Sequence, residues 1–515
     1  MNRITNFSKL ILLISSSFLF ACANMVNPSG GLKDVDPPEL VKSKPKIYST
    51  NFTGKKIELT FNEYLNLKEI QKQLIVSPSD IEIEVKKTGK ILTLQLDKTP
   101  QINTTYIVNF GDAISDYTEN NITKDFKYIF STGPEIDSLE ISGVIIDAIK
   151  KEKVKEAIVC LYNSTDDSIV YKRKPDYTVR TNENGIYKFT NLKSSTYKIF
   201  CLKETNNNKI FDSQDEEIAF NDTLIELKQN SKINPLIIFT EKPQQRKLLN
   251  KSFSYNKAEL IFNKKNDIEL VSLDKSIDTI IYSTKKDTIL AYYKNMPDTS
   301  FIYLSENNKL DTIQVKFPKS SKKSDFNISV ENKILNKNLL IKSNDLFKIK
   351  NLDSLTIVED SIKINYNIKQ ISYNIFSIEY DFNKEKNYLI KLADSVFQSY
   401  NGNYNKPYSS KINFYKEEEL GTLTINNIQP NKIYELLNER LEVVRRTIHA
   451  TESNINYKNI FPSSYTLRII SDDNKNKIWD TGNYLKHIQP EKIEYYTNPI
   501  KVRANWDLEI QLIKP

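Results

Sequence analysis

Two stretches of this chain repeat one spacing of hard oxygen ligands. Glu204, Asn206, Asn208 and Asp212 alternate with other residues, and Asp472, Asn474, Asn476 and Asp480 do the same 268 residues later. A calcium loop of this kind takes side-chain oxygens from positions 1, 3, 5, 9 and 12 and a backbone carbonyl from position 7. That register adds Ile210 and Asp215 to the first set, and Ile478 and Asn483 to the second. Lys209 and Lys477 occupy position 6, where a sharp loop prefers glycine, and neither copy has Glu at position 12. Any calcium affinity is therefore expected to be weak, ~0.1–1 mM. The same pattern also suits a turn-rich hairpin in which Asn and Asp cap their own backbone. The sequence leaves both readings open, and no other cofactor is expected.

The rest of the catalytic vocabulary is sparse. Only His449 and His487 occur, and no G-x-S-x-G surrounds a serine. A Ser-His-Asp triad needs a histidine with an orienting acid and an oxyanion hole. His487 lies near Asp480 in sequence, but a loop histidine beside an acid needs no catalytic role. No phosphate loop or dinucleotide fingerprint is present, so no catalytic residue is assigned and the chain is read as non-enzymatic. Of three cysteines, Cys160 and Cys201 fall in apolar, strand-like runs. In an oxidising compartment they could form a disulfide; otherwise they are two buried thiols. No C-x-x-C exists to hold zinc.

Charge points away from nucleic acid. Lys and Arg number 73 against 65 acids, for a net +8, but the two signs are interspersed and no basic stripe forms. Removing Arg3 and Lys9 with a leader would leave +6.

The elements that must carry these residues read as strands. Alternating runs recur at 56–61 (KIELTF), 81–85 (IEIEV), 91–96 (ILTLQL) and 105–110 (TYIVNF), separated by turn residues. Tyr (29) and Phe (24) far outnumber Trp (2), and only 11 glycines occur. These features favour antiparallel sandwiches over long helices. The segment 434–446 is helix-capable by composition, yet its counterpart in the first repeat is strand-like, so strand is expected there too. The fold class is all-β, with tandem β-sandwich domains.

Residues 36–38 (DPP), 59–63 (LTFNE), 103–106 (NTTY), 111–116 (GDAISD) and 128–132 (YIFST) resemble the bacterial Ig-like domains of surface proteins. Residues 141–147 (ISGVIID), 157–162 (AIVCLY), 181–189 (TNENGIYKF) and 191–197 (NLKSSTY) are similar to the prealbumin-like domain of the carboxypeptidase regulatory family. That resemblance implies a small β-sandwich acting as a structural or partner-binding piece. Asn191 to Tyr197 has a counterpart at Asn459 to Tyr465, and Tyr106 to Asp112 a fainter one at Tyr388 to Asp394. The expected order is a leader over 1–21, a Pro- and Gly-containing tether over 22–38 and an Ig-like domain over 39–133. A prealbumin-like domain over 138–240 and an unassigned β-rich domain over 245–318 follow. A second Ig-like domain over 326–415 and a second prealbumin-like domain over 418–515 complete it.

The first residues supply an address. Arg3 and Lys9 precede an apolar run from Leu10 to Phe20 that is too short to span a bilayer. Leu19-Phe20-Ala21-Cys22 resembles a bacterial lipobox, although Phe20 is bulky for its place. That likeness implies acylation of Cys22, each buried methylene contributing ~0.8 kcal/mol of anchoring. Together with 30–38 (GGLKDVDPP) and 501–507 (KVRANWD), the whole chain resembles Bacteroidetes-type Ig-like-domain lipoproteins of the outer membrane. The resemblance implies an interaction or scaffold subunit without catalysis. An outer-membrane β-barrel in an assembly, transport or secretion complex is the expected partner. The alternative is a surface adhesin or glycan-binding protein, with Tyr495, Tyr496 and Trp506 as its aromatic platform. Residues 23–27 carry no acid, which leaves the cell surface and the periplasmic face both open.

Overall fold

A computed structural model describes residues 33–512, apart from 205, 207, 214, 244–245, 255–256, 264–268, 271–278, 286, 294–298, 307–308, 317–324, 336–337 and 449–451. The expected leader, Cys22, most of the expected tether and His449 lie outside the described residues. The chain is nearly all β, built as tandem sandwiches. Among the described residues no helix is long and apolar enough to cross a membrane.

The first sandwich follows directly from period-two alternation. Lys56–Phe61 buries Ile57, Leu59 and Phe61 and turns its other side chains outward. It pairs with Leu40–Lys44 and Ile91–Leu96, and Ile83–Thr88 forms the outer edge beside the latter. The facing sheet is Ile75–Ser77, Thr105–Asn109 and Lys127–Ser131. Tyr106, Val108, Tyr128 and Phe130 pack from it against Leu92 and Leu94.

The same strand pairing returns in the fourth segment. Ile328–Val330, Asn338–Ser343, Ile375–Glu379 and Asn367–Ser372 form one sheet; Leu355–Glu359, Tyr388–Leu392 and Tyr408–Phe414 lie in the other. In both sandwiches a buried tyrosine hydroxyl accepts a backbone N–H five residues upstream. Gln101 donates to Tyr106 at 2.9 Å, and Asn383 donates to Tyr388 at 2.9 Å.

A second pairing pattern also occurs twice. Leu139–Asp147 lies antiparallel to Ile186–Leu192 and parallel to Leu236–Thr240. Ile158–Tyr162 sits between Tyr177–Arg180 and Ser195–Lys203, and the latter also pairs with Glu217–Phe220 and Ile225–Leu227. In the last segment, Gly421–Asn426 has the same two partners in Asn454–Ile460 and Asp507–Gln511. Lys432–Leu437 lies between Val443–Ile448 and Ser463–Ser471, which pairs onward with Ile493–Tyr495 and Ile500–Val502. The helix-capable stretch is thus two strands. Glu435, 5% exposed, holds Arg468 at 2.6 Å and Arg446 at 3.2 Å across them.

Between these lies a segment whose strands Leu248–Ser254, Lys257–Phe262, Thr288–Tyr293 and Thr279–Lys285 form one sheet. Glu269–Leu270, Thr299–Glu306 and Lys309–Lys316 form a second, and Leu260, Phe262, Ile302 and Leu304 fill the core.

The sandwiches are joined by backbone and side-chain contacts as well as by linkers. Ser79 donates its N–H to the Asp176 carbonyl at 3.0 Å, and Arg180 reaches the Lys72 carbonyl at 3.2 Å. Tyr292 donates to Asp345 at 2.8 Å, tying the middle segment to the fourth. Tyr415 meets Phe461 edge-on at 4.9 Å, tying the fourth to the fifth. The fifth segment then returns to the second, as described below, so the last four segments close a circuit.

Candidate functional site

The two acid–amide ladders begin where corresponding strands end, Ser195–Lys203 in one repeat and Ser463–Ser471 in the other. Each curls because its own side chains cap its backbone. In the first loop Glu204 Oε2 accepts the Lys209 N–H at 2.7 Å. Asn206 Oδ1 accepts Asn208 N–H at 3.1 Å, and Asn208 Oδ1 accepts Ile210 N–H at 2.7 Å. In the second, Asp472 accepts the N–H groups of Asn476 at 3.0 Å and Lys477 at 2.8 Å, and Asn476 Oδ1 accepts Ile478 N–H at 3.0 Å. Lys209 and Lys477 have φ of +63° and +69°. The left-handed turn that glycine would make without strain is therefore made here by lysine.

Both loops aim their two amides at the acid of position 9. Asn206 and Asn208 donate to the two oxygens of Asp212 at 3.1 and 2.7 Å. Asn474 donates to Asp480 at 2.6 Å, and Asn476 donates to the same carboxylate. The residues at position 12 are not part of this arrangement. Asp215 lies 4.0 Å from Lys247, and Asn483 caps its own short turn by accepting Lys486 N–H at 3.0 Å. Their places are taken by Glu216 and Glu491. Glu216 Oε2 accepts the N–H groups of Asp212 at 3.3 Å and Ser213 at 3.4 Å. Glu491 accepts those of Asp473 at 3.0 Å and Asp480 at 2.9 Å. A fixed twelve-residue count misses both. Glu216 is one residue too late, and Glu491 arrives only after the excursion through Tyr484.

Electrostatics separate the two copies. Burial, with the charges of Asp212 and Glu204 adding to it, pushes the Glu216 carboxyl up from its ordinary value. Burial also raises Glu204, against the N–H it accepts from Lys209. In the second copy burial raises Glu491, reinforced by Asp480 and Asp472. Asp480 is held down instead: burial alone would raise it, but Lys242 at 2.6 Å and the two Asn amides outweigh that effect. Among the described residues no three Asp, Glu, His or Cys side chains form a group that could hold a metal ion.

The second loop also docks on the first repeat. Thr481 donates to the Thr240 carbonyl at 2.6 Å, the Tyr484 N–H to Glu241 at 2.6 Å, and Gln489 to the Phe220 carbonyl at 3.2 Å. Tyr484 is 2% exposed and meets Phe200 and Phe220 edge-on, each at 5.0 Å. A Cβ on Gly482 would lie 2.5 Å from the Phe239 ring and 2.6 Å from the Ile488 carbonyl, so only glycine fits that crossing. His487 lies 3.4 Å from Asp167 of the first repeat and edge-on to Tyr484. It belongs to this seam and not to Asp480.

Cys160 and Cys201 are both free and buried. A disulfide between them is ruled out by strand parity. Cys160 stands opposite Phe200, and Cys201 opposite Val159. The two thiols therefore point to opposite faces of one sheet, Cys160 toward Tyr162 and Phe220 and Cys201 toward Tyr187 and Tyr197. Burial pushes both thiols above their ordinary range.

No curated protein matches the chain. Solved structures that match the chain include the TIE protein of Bacillus anthracis, 11% identical, covering 94% of this chain and 75% of that one at a TM-score of 0.15. The major pilin subunit BcpA of Bacillus cereus is 9% identical, covering 73% and 99% at 0.15. The RrgB pilus protein of Streptococcus pneumoniae is 10% identical, covering 72% and 68% at 0.17. Scores this low carry neither a domain arrangement nor a role to this chain. One family does match by sequence: residues 34–132, which include the first sandwich, match the bacterial Ig-like domain.

Proposed function

We propose that this chain is a lipid-anchored scaffold subunit of the outer membrane that holds other envelope proteins, a β-barrel among them, and performs no chemistry of its own. The observation that carries this reading is the seamed succession of β-sandwiches. Such a body presents fixed sheet edges and faces, which bind extended segments by strand addition. Ile83–Thr88 is an outer strand with a neighbour on one side only. Beside it runs a cleft of about 540 Å³ lined by Ile70, Leu74, Ile83 and Val85 and by Lys174 and Lys209. The lipobox-like Leu19 to Cys22 supports the anchor. Purification in mild detergent tests the reading. A barrel protein co-eluting in fixed ratio supports it, and a monodisperse chain without partners counts against it. Replacing Cys22→Ala is expected to release the protein from the membrane fraction.

A second reading has one observation in its favour. Tyr434, Tyr495 and Tyr496 line a cavity of about 290 Å³ with Asn427, Gln429, Asn498 and Gln511. Aromatic faces beside amide groups suit a sugar, whose C–H faces stack and whose hydroxyls hydrogen-bond. Trp506, 56% exposed, does not line that cavity. Glycan arrays probed with the protein and its Tyr496→Ala variant test this reading. Binding lost in the variant favours it, and no binding removes it.

A further inference from the structure

We propose that the end of the first sandwich carrying Tyr64 and Tyr117 rests on the lipid surface itself, against zwitterionic, amine-bearing headgroups. This contact rests on the Cys22 anchor proposed above and adds a second, non-covalent hold on the membrane.

The chain enters the first sandwich at a fixed place. Asn121 Nδ2 donates to the carbonyls of Asp34 at 3.1 Å and Asp36 at 3.2 Å, and Thr123 donates its hydroxyl to that of Pro38 at 2.7 Å. Glu39 donates its N–H to Asn62 Oδ1 at 2.7 Å, and Asn62 returns its own N–H to the Glu39 carbonyl at 3.0 Å. The two tyrosines stand on these same segments. Tyr117 donates its N–H to the Tyr64 carbonyl at 2.9 Å, and Asp116 next to it accepts the Asn121 N–H at 2.6 Å. Tyr64 is 64% and Tyr117 70% exposed, and Val35 and Ile122 are exposed as well. Lys90 holds the Asn62 carbonyl at 2.6 Å and lies 5.4 Å from the centre of the Tyr64 ring.

The chain leaves this sandwich at its other end. Lys127–Ser131 starts next to Phe126, which meets Phe61 at 5.5 Å beside Asn62, and runs away from the tyrosines toward the second segment. Five strand residues carry it ~17 Å. A lipid-facing entry end therefore directs the exit away from the bilayer.

Tether length makes a weak contact sufficient. Cys22 and Lys33 are eleven residues apart, a stretch that spans at most ~40 Å. Acylated Cys22 thus confines the tyrosine end near the surface at an effective concentration in the mM range. Tyrosine suits the headgroup level, where its ring is apolar and its hydroxyl stays wet. Charge selects the lipid. Glu63 feels Asp34, Asp36 and Asp116 against the single cation Lys90. That field repels anionic lipid and attracts the ammonium of phosphatidylethanolamine.

The test places the full-length lipoprotein in discs of phosphatidylethanolamine and phosphatidylcholine, with a fluorophore on Thr118→Cys or Ile102→Cys. The native thiols Cys160 and Cys201 are buried and stay unlabelled. Ile102 is 84% exposed and lies at the opposite end, where Thr104 donates its N–H to Thr132. A nitroxide on the headgroup is expected to quench the label at 118 severalfold more than that at 102. Tyr64→Ser with Tyr117→Ser should abolish the excess in a chain still folded by circular dichroism, and Tyr117→Ser alone serves if the double variant does not fold. Phosphatidylglycerol in place of phosphatidylcholine should reduce the excess. Mass spectrometry of Cys22 separates the two levels. An unacylated cysteine overturns both the anchor and the contact, and an acylated one with equal quenching at 118 and 102 overturns the contact alone. Excess quenching that survives the serine replacements, or that grows with phosphatidylglycerol, also overturns the contact.

Discussion

Replacing Tyr484→Ala should undock the second and fifth segments from each other. Its ring is 2% exposed and packs against Phe200, Phe220 and Tyr171, with centroids at 5.0, 5.0 and 6.2 Å. Truncating a buried aromatic to alanine costs about 3–5 kcal/mol. At 1.4 kcal/mol per tenfold, the docking equilibrium should weaken roughly 150- to 4000-fold. The hydroxyl supplies an internal control, because it is buried with no hydrogen-bond partner. Deleting it removes an unsatisfied group, so Tyr484→Phe should be neutral or up to about 1 kcal/mol stabilising. Amide hydrogen exchange on the full chain reads both variants at the seam, over 217–220 and 481–489, where local opening governs protection. Protection should collapse there in Tyr484→Ala and persist in Tyr484→Phe. If the two variants behave alike, or if Tyr484→Ala leaves the seam protected, the ring is not what holds the repeats together.

Other expectations follow from single sites. Gly482→Ala forces a methyl to 2.5 Å from Phe239 and should loosen the same seam by about 1–3 kcal/mol, visible in the same exchange pattern. A thiol reagent at mild alkaline pH should spare Cys160 and Cys201 in the folded chain and modify both in denaturant without reductant; failure to find two thiols would restore the disulfide. Asp116, 2% exposed, accepts the N–H groups of Glu119, Asn120 and Asn121 at 2.6, 3.0 and 2.6 Å. Burial pushes its carboxyl up, but these donors outweigh it and leave it below the usual aspartate range. Its stabilisation is therefore present above pH ~4 and is lost as pH falls through the lower folded value. Asp116→Asn should cost about 1.5–3 kcal/mol at neutral pH, and urea unfolding should show that difference shrinking in acid.

Strand positions were legible because burial on one face writes itself as period two. Ile57, Leu59 and Phe61 could be placed from sequence alone, and the Tyr106–Tyr388 correspondence marks a corner that both Ig-like sandwiches build with the same bond. The ladders were legible as ligand-like spacing for a similar reason: local turns fix side-chain positions over a few residues. Non-local geometry defeated the same reasoning. Cys160 and Cys201 sit in adjacent strands, as a bridge would need, yet a one-residue register difference sends them to opposite faces. Glu491 reaches its loop after an excursion whose length no motif specifies. Tyr484 resembles any loop tyrosine until Phe200 and Phe220 are brought beneath it. The Glu435–Arg446–Arg468 cluster was hidden because its three members come from three strands.

The seam at Tyr484 joins residues 243 positions apart in sequence, through the N–H it donates to Glu241. Chains emerge from synthesis or export amino terminus first, and domains tend to fold as they appear. The aromatic bed formed by Phe200, Phe220 and Phe239 must then wait uncovered while about half the polypeptide is still to come. For a flexible connection of that length, closure entropy alone is roughly 5 kcal/mol. The intervening sandwiches reduce it only if they have already folded and already lean the right way. Kinetic competence is thus distributed unevenly along the chain. A destabilising substitution in the middle segment, far from the seam, would lengthen the exposure of that bed and invite aggregation before it altered any finished contact.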